Sequence, residues 1–232
     1  ESDTEVLLAL YLKLRNDSHR SPVKDTVTKL LRRINGIFSF ALWDYDHQCL
    51  LLSRDSFGIK PLYFKKTRDG FFFASEIKAL CDSSCQLDVS ALERYLTFLW
   101  CPGVQTPDES TFKLGPGEAV LVSNGQISDH FKWFESPIYR KGNRDNHIRN
   151  SAKAIRGVEY HLRQSVHRQL VSDVPLGAFL SGGLDSSSVV AFAKEQEPDL
   201  CCFSIDVSGS VDKGFIDDLP YARRVASYLN VP

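Results

Sequence analysis

The chain has 232 residues, of which 43% are hydrophobic and 25% charged, with a formal net charge of −1. That length leaves room for one or two cores. The near-neutral balance, without a basic stripe on any predicted element, gives nucleic acid no electrostatic footprint, and no apolar run approaches the ~20 residues of a membrane span. Small-molecule partners are therefore expected, with the cytoplasm as the default compartment because no secretory signal opens the chain. Six cysteines in this length do not amount to a disulfide framework. Cys81 and Cys85 are four apart, but no His or Cys pair lies where it would complete a zinc site, so structural metal is not expected. The absence of methionine means that the chain does not begin at a normal initiation codon, and is either processed or an internal piece.

The opening stretch reads as a capped helix, with Asp3 or Thr4 as the cap and Val6, Leu7, Leu10, Tyr11 and Leu14 in an i, i+3, i+4 stripe. A second helix is expected over Val23 to Arg33. From Gly36 the period changes. Ile37 to Trp43 and Cys49 to Arg54 read as strands joined by a polar turn, and Leu62 to Lys65 and Phe71 to Ser75 as a hairpin across Arg68-Asp69-Gly70. A short helix, Glu76 to Leu80, follows. Asp88 is placed to cap a helix from Val89 to Leu99, whose Leu92, Tyr95, Leu96 and Leu99 form the expected apolar face. Beyond a loop rich in Pro and Gly, Glu118 to Ser123 and Gln126 to Phe134 flank Asn124-Gly125, the strongest short hairpin signal. Residues 1–134 thus form one β-rich α+β unit.

Residues 135–150 are polar and lack an apolar period, which marks a linker, and residues 151–232 make a second unit. It opens on a long helix with Ile155, Val158, Leu162, Val166 and Leu170 on one face. His161 and His167, six apart on it, are expected to be exposed. The run VPLGAFLSGGLDSSSVV then suits a buried strand, a sharp turn and a helix, and Cys201 to Val207 a second buried strand, with Cys201 and Cys202 as small core residues. A strand, glycine turn, helix and strand in that order imply a right-handed crossover between parallel strands, with ligands beyond their carboxyl ends. Ser181-Gly182-Gly183 lets a ligand approach the backbone, and the helix that opens at Leu184 points its free N–H groups at an anion. Gly183→Ala is expected to block that close approach, at about 1–2 kcal/mol if the site is left-handed.

The lysine of a Walker-type phosphate loop is missing, and Asp185 stands where an acid would repel phosphate unless Mg²⁺ bridged the two. The plainer reading is that Asp185 or Ser186 caps the helix, worth about 1 kcal/mol, and that the glycines only make a tight turn.

SGGLDSS after a strand resembles the pyrophosphate loop of ATP pyrophosphatases that adenylate a carboxylate. With its lead-in SDVPLGAFLSGGLDSSSVVA, it is similar to the synthetase domain of the glutamine-hydrolysing asparagine synthetases. INGIFSFALWD, RDSFGIKPLYF and FFFASEIKAL resemble, in order, stretches of the amino-terminal-nucleophile glutaminase domain of class II amidotransferases, and LTFLWCPG and LGPGE its link to the synthetase half. The resemblance implies α+β followed by α/β: part of a glutaminase sandwich, then the start of a parallel-sheet ATP-pyrophosphatase domain of the adenine nucleotide α-hydrolase-like kind.

It also implies the chemistry. Glutamine is hydrolysed in the front domain, and its ammonia attacks an aspartate side chain that ATP has activated as an acyl-adenylate. Ser181, Gly182, Gly183, Ser186 and Ser187 would hold the pyrophosphate, Asp185 would help to position Mg²⁺, and the backbone of Leu180 and Ile205 would lie against adenosine. Asp3 matches the aspartate that binds the glutamine α-amino group, although its residue-level reading is a helix cap. The family's nucleophilic cysteine and later Arg and Asn-Gly pair have no counterpart here, since the first cysteine is Cys49 in a predicted strand, and the chain stops before the family's second glycine-rich loop. An internal segment of a longer enzyme, or one with missing ends, is therefore expected, inactive alone as a glutaminase. Two other readings stay open: a relative that adenylates a different carboxylate, such as a β-lactam-forming synthetase, and a non-catalytic nucleotide-binding segment. A homodimer is left open as well.

Overall fold

A computed structural model of the chain describes residues 2–17, 21–83, 85–136, 148–206 and 217–232. The chain divides into two compact units, Glu1–Tyr139 and Arg140–Pro232. That division falls within the polar stretch expected as a linker, most of which lies outside the described residues.

In the first unit, α1 (Asp3–Asn16) and α2 (Val23–Leu31) cover a four-stranded sheet of order β1-β2-β6-β7, built from β1 (Ser39–Asp44), β2 (Cys49–Arg54), β6 (Glu118–Ser123) and β7 (Gln126–Lys132). A three-stranded sheet of order β4-β3-β5, from β3 (Tyr63–Lys66), β4 (Phe71–Ala74) and β5 (Thr111–Lys113), shares a second cluster with the other face. All pairings in both sheets are antiparallel. Strand alternation builds the layers. Leu51 pairs with Leu121 and joins Tyr11, Leu14, Leu30 and Leu31 under the helices, whereas Leu52 pairs with Val120 and joins Leu62, Phe64 and Leu114. A strand buried on both faces explains why Cys49 to Leu52 is an unbroken apolar run. Asn124 and Gly125 have φ of 52° and 70°, as a two-residue type I′ hairpin turn requires.

Three local readings are corrected. Ser2, not Asp3 or Thr4, caps α1, its Oγ accepting the Glu5 N–H at 3.3 Å. The helix expected at Glu76 to Leu80 is a short 3-10 turn, Ile77–Ala79. Helix α3 (Val89–Phe98) is capped by Asp88, whose carboxylate accepts the Ala91 N–H at 2.9 Å, but its expected core face is open. Leu96 is 70% exposed and Leu99 81%, and only Ala91 is buried. Helical spacing identified the element without saying what, if anything, covers its stripe.

Several polar groups buried in this unit are paired, although Arg94 Nε and Trp133 Nε1 have no hydrogen-bond partner. Asp44 ends β1 against α1, where its carboxylate accepts the Tyr11 hydroxyl at 2.6 Å and the His47 N–H at 3.0 Å. Burial alone would raise the Asp44 pKa, but these hydrogen bonds outweigh it and hold it below the ordinary aspartate value. The motif RDSFGIKP folds on itself. Asp55, 1% exposed, accepts the N–H groups of Phe57, Ile59 and Lys60 at 3.0–3.1 Å, and Arg54 donates to the carbonyls of Gly58, Lys60 and Leu114.

The second unit contains α4 (Ser151–Arg168), β8 (Gly177–Phe179), α5 (Leu184–Lys194), β9 (Cys201–Phe203) and α6 (Leu219–Leu229). Asn150 caps α4 through the Lys153 N–H. Strands β8 and β9 are parallel, with α5 as the crossover, and Val166, Leu180, Val190, Ala193, Leu200, Ala222 and Val231 form the core. On α4 only the carboxyl-terminal part of the stripe is covered: Ile155 and Val158 are each 67% exposed. The strands are shorter than expected, and Phe179 and Phe203, with Cys201, lie exposed on a pair that is two strands wide among the described residues. His167 is not exposed as expected; its Nε2 lies 3.1 Å from the Phe192 carbonyl and 3.2 Å from Glu195. Among the described residues no helix is long and apolar enough to cross a membrane.

Candidate functional site

The run from Gly177 to Lys194 puts strand, turn and helix in the order that exposes a helix N-terminus beyond a strand end. Leu180, 3% exposed, anchors the turn: its N–H donates to the Phe203 carbonyl at 2.8 Å, and its own carbonyl accepts the Ser204 hydroxyl at 2.8 Å. The turn is held shut by serines. Ser181 Oγ and Ser186 Oγ are 3.0 Å apart, the Ser181 N–H donates to Ser186 Oγ at 3.3 Å, and the Gly183 N–H donates to Ser181 Oγ at 3.4 Å.

The two glycines have different jobs. Gly182 takes φ of +78°, and a Cβ on it would lie 2.6 Å from Ala222 N and from Tyr221 Cβ, so the close approach there is made by α6 of the same chain. Gly183 is not left-handed: it has φ of −70° and is the N-cap of α5. It has no side chain with which to cap the helix, so the first N–H groups of α5 are left to bind something else. A Cβ on Gly183 would make only an ordinary contact, 3.4 Å from Ser181 Oγ.

A hollow of about 250 Å³ belongs to this corner, lined by Phe179, Leu180, Ser181, Ser186, Phe203, Ser204, Ile205 and Asp218. It brings together four of the residues singled out from sequence, Leu180, Ser181, Ser186 and Ile205, at the carboxyl ends of β8 and β9. Asp185 lies beside it in the first turn of α5, exposed, and Gly182, Gly183 and Ser187 do not line it. Asp3 belongs to the other unit, exposed in the first turn of α1, where Ser2 has taken the capping role.

Phe179, Phe203, Ser204 and Asp218 were not singled out from sequence. Phe179 and Ser204 adjoin residues that were, and Phe203 is two positions from Ile205. Asp218 carries a signal of its own, an acid before Leu219-Pro220, which is how a helix with proline in its first turn begins.

The donor set fits a phosphate chain. Besides the uncapped N-terminus of α5, the buried Ser187 hydroxyl has no hydrogen-bond partner, a cost that a ligand oxygen would remove. Among the described residues the lining carries the carboxylate of Asp218 and no Lys or Arg, and Asp185 adds a second acid nearby. Two carboxylates beside a phosphate chain suit a divalent cation between them. The exposed rings of Phe179 and Phe203 and the side chain of Ile205 supply apolar walls against which a base can lie.

The model of the family described as glutamine amidotransferase domain matches residues 1–134. The chain belongs to that family. The model described as asparagine synthase matches residues 157–232, which include the whole serine-glycine turn. Glutamine-hydrolyzing asparagine synthetase 1 of Bacillus subtilis is 34% identical over 234 residues, covering 100% of this chain and 33% of that protein. Putative glutamine-hydrolyzing asparagine synthetase 2 of Methanocaldococcus jannaschii is 30% identical over 237 residues, covering 98% of this chain and 41% of that one. A solved structure of glutamine phosphoribosylpyrophosphate amidotransferase from B. subtilis, complexed with ADP and GMP, has a TM-score of 0.38 and 16% identity, covering 93% of this chain and 42% of that one. This member of the glutamine amidotransferase family thus spans about a third of the length of the first B. subtilis relative. The family resemblance carried by the motifs is borne out by both matches, in the order expected.

Proposed function

We propose that this chain is part of a cytoplasmic glutamine-hydrolysing asparagine synthetase, in which residues 151–232 contribute to the ATP site and residues 1–134 to the glutaminase. The observation that supports it most is the serine-glycine turn, which opens an uncapped helix beside a hollow at the ends of two parallel strands.

A carboxylate is a poor electrophile, and transfer of AMP to it supplies a leaving group that ammonia can displace. In the adenylation step the aspartate oxygen attacks the α-phosphorus, and pyrophosphate leaves. The free N–H groups of Leu184, Asp185 and Ser186 and the hydroxyl of Ser187 donate to that leaving group, with Ser181 and Ser186 shaping the turn. Donors fixed in place before the charge develops need not reorganise when it does. Magnesium, when bound, neutralises oxygens of the phosphate chain. Asp185 would hold it from the first turn of α5. Leu180 and Ile205 bound the adenosine. In the glutaminase half, Asp3 pairs through its carboxylate with the ammonium of glutamine, a charge-assisted contact.

The test uses the full-length protein with ATP, magnesium and glutamine. AMP and pyrophosphate should form only when aspartate is present, with asparagine as the product. AMP formation driven by another carboxylate, with none from aspartate, would replace the acceptor in this reading, and nucleotide binding without any turnover would overturn the enzymatic one.

A further inference from the structure

Away from the nucleotide turn, the first unit gathers a pair of thiols that neither proposed reaction uses. Cys81 and Cys85 follow the 3-10 turn, where the Cys85 N–H donates to the Asp82 carbonyl at 3.1 Å and the Asp82 N–H donates to Cys85 Sγ at 3.2 Å. Both cysteines are free, Cys81 exposed and Cys85 half-buried. Their sulfurs and a carboxylate oxygen of Asp108 all lie within 4.8 Å of one another.

Two thiols and a carboxylate resemble a zinc donor set, but the cation's place is already filled. Lys65 reaches in from β3 with its side chain 7% exposed, and its Nζ lies 3.8 Å from Asp108, 3.6 Å from Asp82, 3.4 Å from the Leu80 carbonyl and 3.9 Å from Cys85 Sγ. Burial works against its charge, yet Asp108 and Asp82 outweigh burial and hold its pKa above the ordinary lysine value. Asp108 is also spent locally, accepting the Thr111 hydroxyl at 2.5 Å and the Ser110 hydroxyl and N–H. The two sulfurs stay beside one another, with Cys85 Sγ accepting from the Asp82 N–H and from Lys65.

We propose that Cys81 and Cys85 are a redox-active dithiol that closes to an intramolecular disulfide, with a small disulfide such as glutathione disulfide as its oxidant. Cys85, as thiolate, attacks one sulfur of the oxidant and expels one glutathione thiolate. Cys81 then gives its proton to solvent, attacks Cys85 Sγ in the mixed disulfide and expels the second. Two thiols lose two electrons and two protons, and the oxidant becomes two molecules of glutathione. The Lys65 ammonium and the Asp82 N–H face the Cys85 sulfur, so negative charge developing during exchange is best placed there. Bond formation requires the sulfurs to close to ~2.05 Å, which rotation of the exposed Cys81 side chain can begin. In a reducing compartment such a pair opens and closes as a sensor and is not a permanent staple.

The test incubates the full-length protein with glutathione disulfide, blocks the remaining thiols by alkylation and reads the linkage by mass spectrometry of the digest. The peptide containing Cys81 and Cys85 should lose two hydrogens and carry no glutathione. Cys85→Ser should leave Cys81 free or singly glutathionylated, and Lys65→Met should slow closure several-fold without changing the alkylation rate of Cys101. Separate glutathione adducts on Cys81 and Cys85, two unreacted thiols while Cys201 is modified, or stoichiometric zinc released by Cys85→Ser would each overturn the assignment.

Discussion

Gly182 and Gly183 are neighbours in sequence and opposites in structure. At Gly182 a left-handed φ of +78° coincides with backbone contact from α6, so Gly182→Ala should cost about 2–4 kcal/mol in chemical denaturation. Unchanged stability would contradict the packing. Gly183→Ala should fold normally, because its φ of −70° suits any residue. It is therefore the better probe of ligand approach. Asp185→Asn removes charge from an exposed side chain, and should weaken magnesium-dependent ATP binding by about five- to tenfold, ~1 kcal/mol or slightly more, with the melting temperature unchanged. Calorimetric titration with and without magnesium checks this, and equal affinities for both proteins would remove the metal role.

A further residue-scale prediction concerns pH. His130 Nε2 lies 2.9 Å from Glu118 Oε2, and this hydrogen bond lowers the Glu118 pKa and raises that of His130, with burial opposing both. The depressed Glu118 adds stability above the ordinary carboxylate pKa and loses it as pH falls through its native value. The raised His130 adds stability below the ordinary histidine pKa and loses it as pH rises through its native value. The pair is therefore worth most between pH ~4.5 and ~6.5. Since the His130 side chain is 44% exposed, the gain is only ~0.5 kcal/mol. The stability difference between the wild type and His130→Ala should peak in that window; a flat difference would refute the pair.

Among the elements, α3 depends most on its own ends. Most of its apolar face is open, so little packing holds it and the Asp88 cap carries a large share of its stability. Asp88→Ala should cost about 1 kcal/mol and speed amide exchange within Val89–Phe98, with little change elsewhere. Unaltered exchange in α3 would show that something other than its cap secures it. This helix also marks how far sequence carries the fold. Its existence, its cap and its length follow from spacing and one aspartate, but burial depends on partners that spacing does not specify. The same holds for Phe179 and Phe203, whose aromatic bulk suited a buried strand. By contrast, Cys49 to Arg54 and Asn124-Gly125 could be read accurately, since an unbroken apolar run and two left-handed positions leave few alternatives. Helix α6 was missed although Asp218 and Pro220 mark its start. RDSFGIKP, read as a family signature, proves to be a loop in which an arginine and an aspartate satisfy the backbone around them.

For the molecule as a whole, each of the two units has its own core, antiparallel sheets under two helices in one and a parallel pair with its crossover helix in the other. The turn that connects strand to helix in the second unit was legible in the sequence, because a glycine pair between an apolar run and a helical stretch leaves few alternatives. The hollow beside it was not, because Asp218 is distant in sequence from the turn it faces. The central claim is that this corner holds the phosphate chain of ATP. Hydrogen exchange of the full-length protein with and without magnesium and ATP tests it most directly. The account predicts slowed exchange at the amides of Ser181 to Ser187, extending to Ser204 and Ile205. Unchanged exchange over those residues at saturating nucleotide would contradict it.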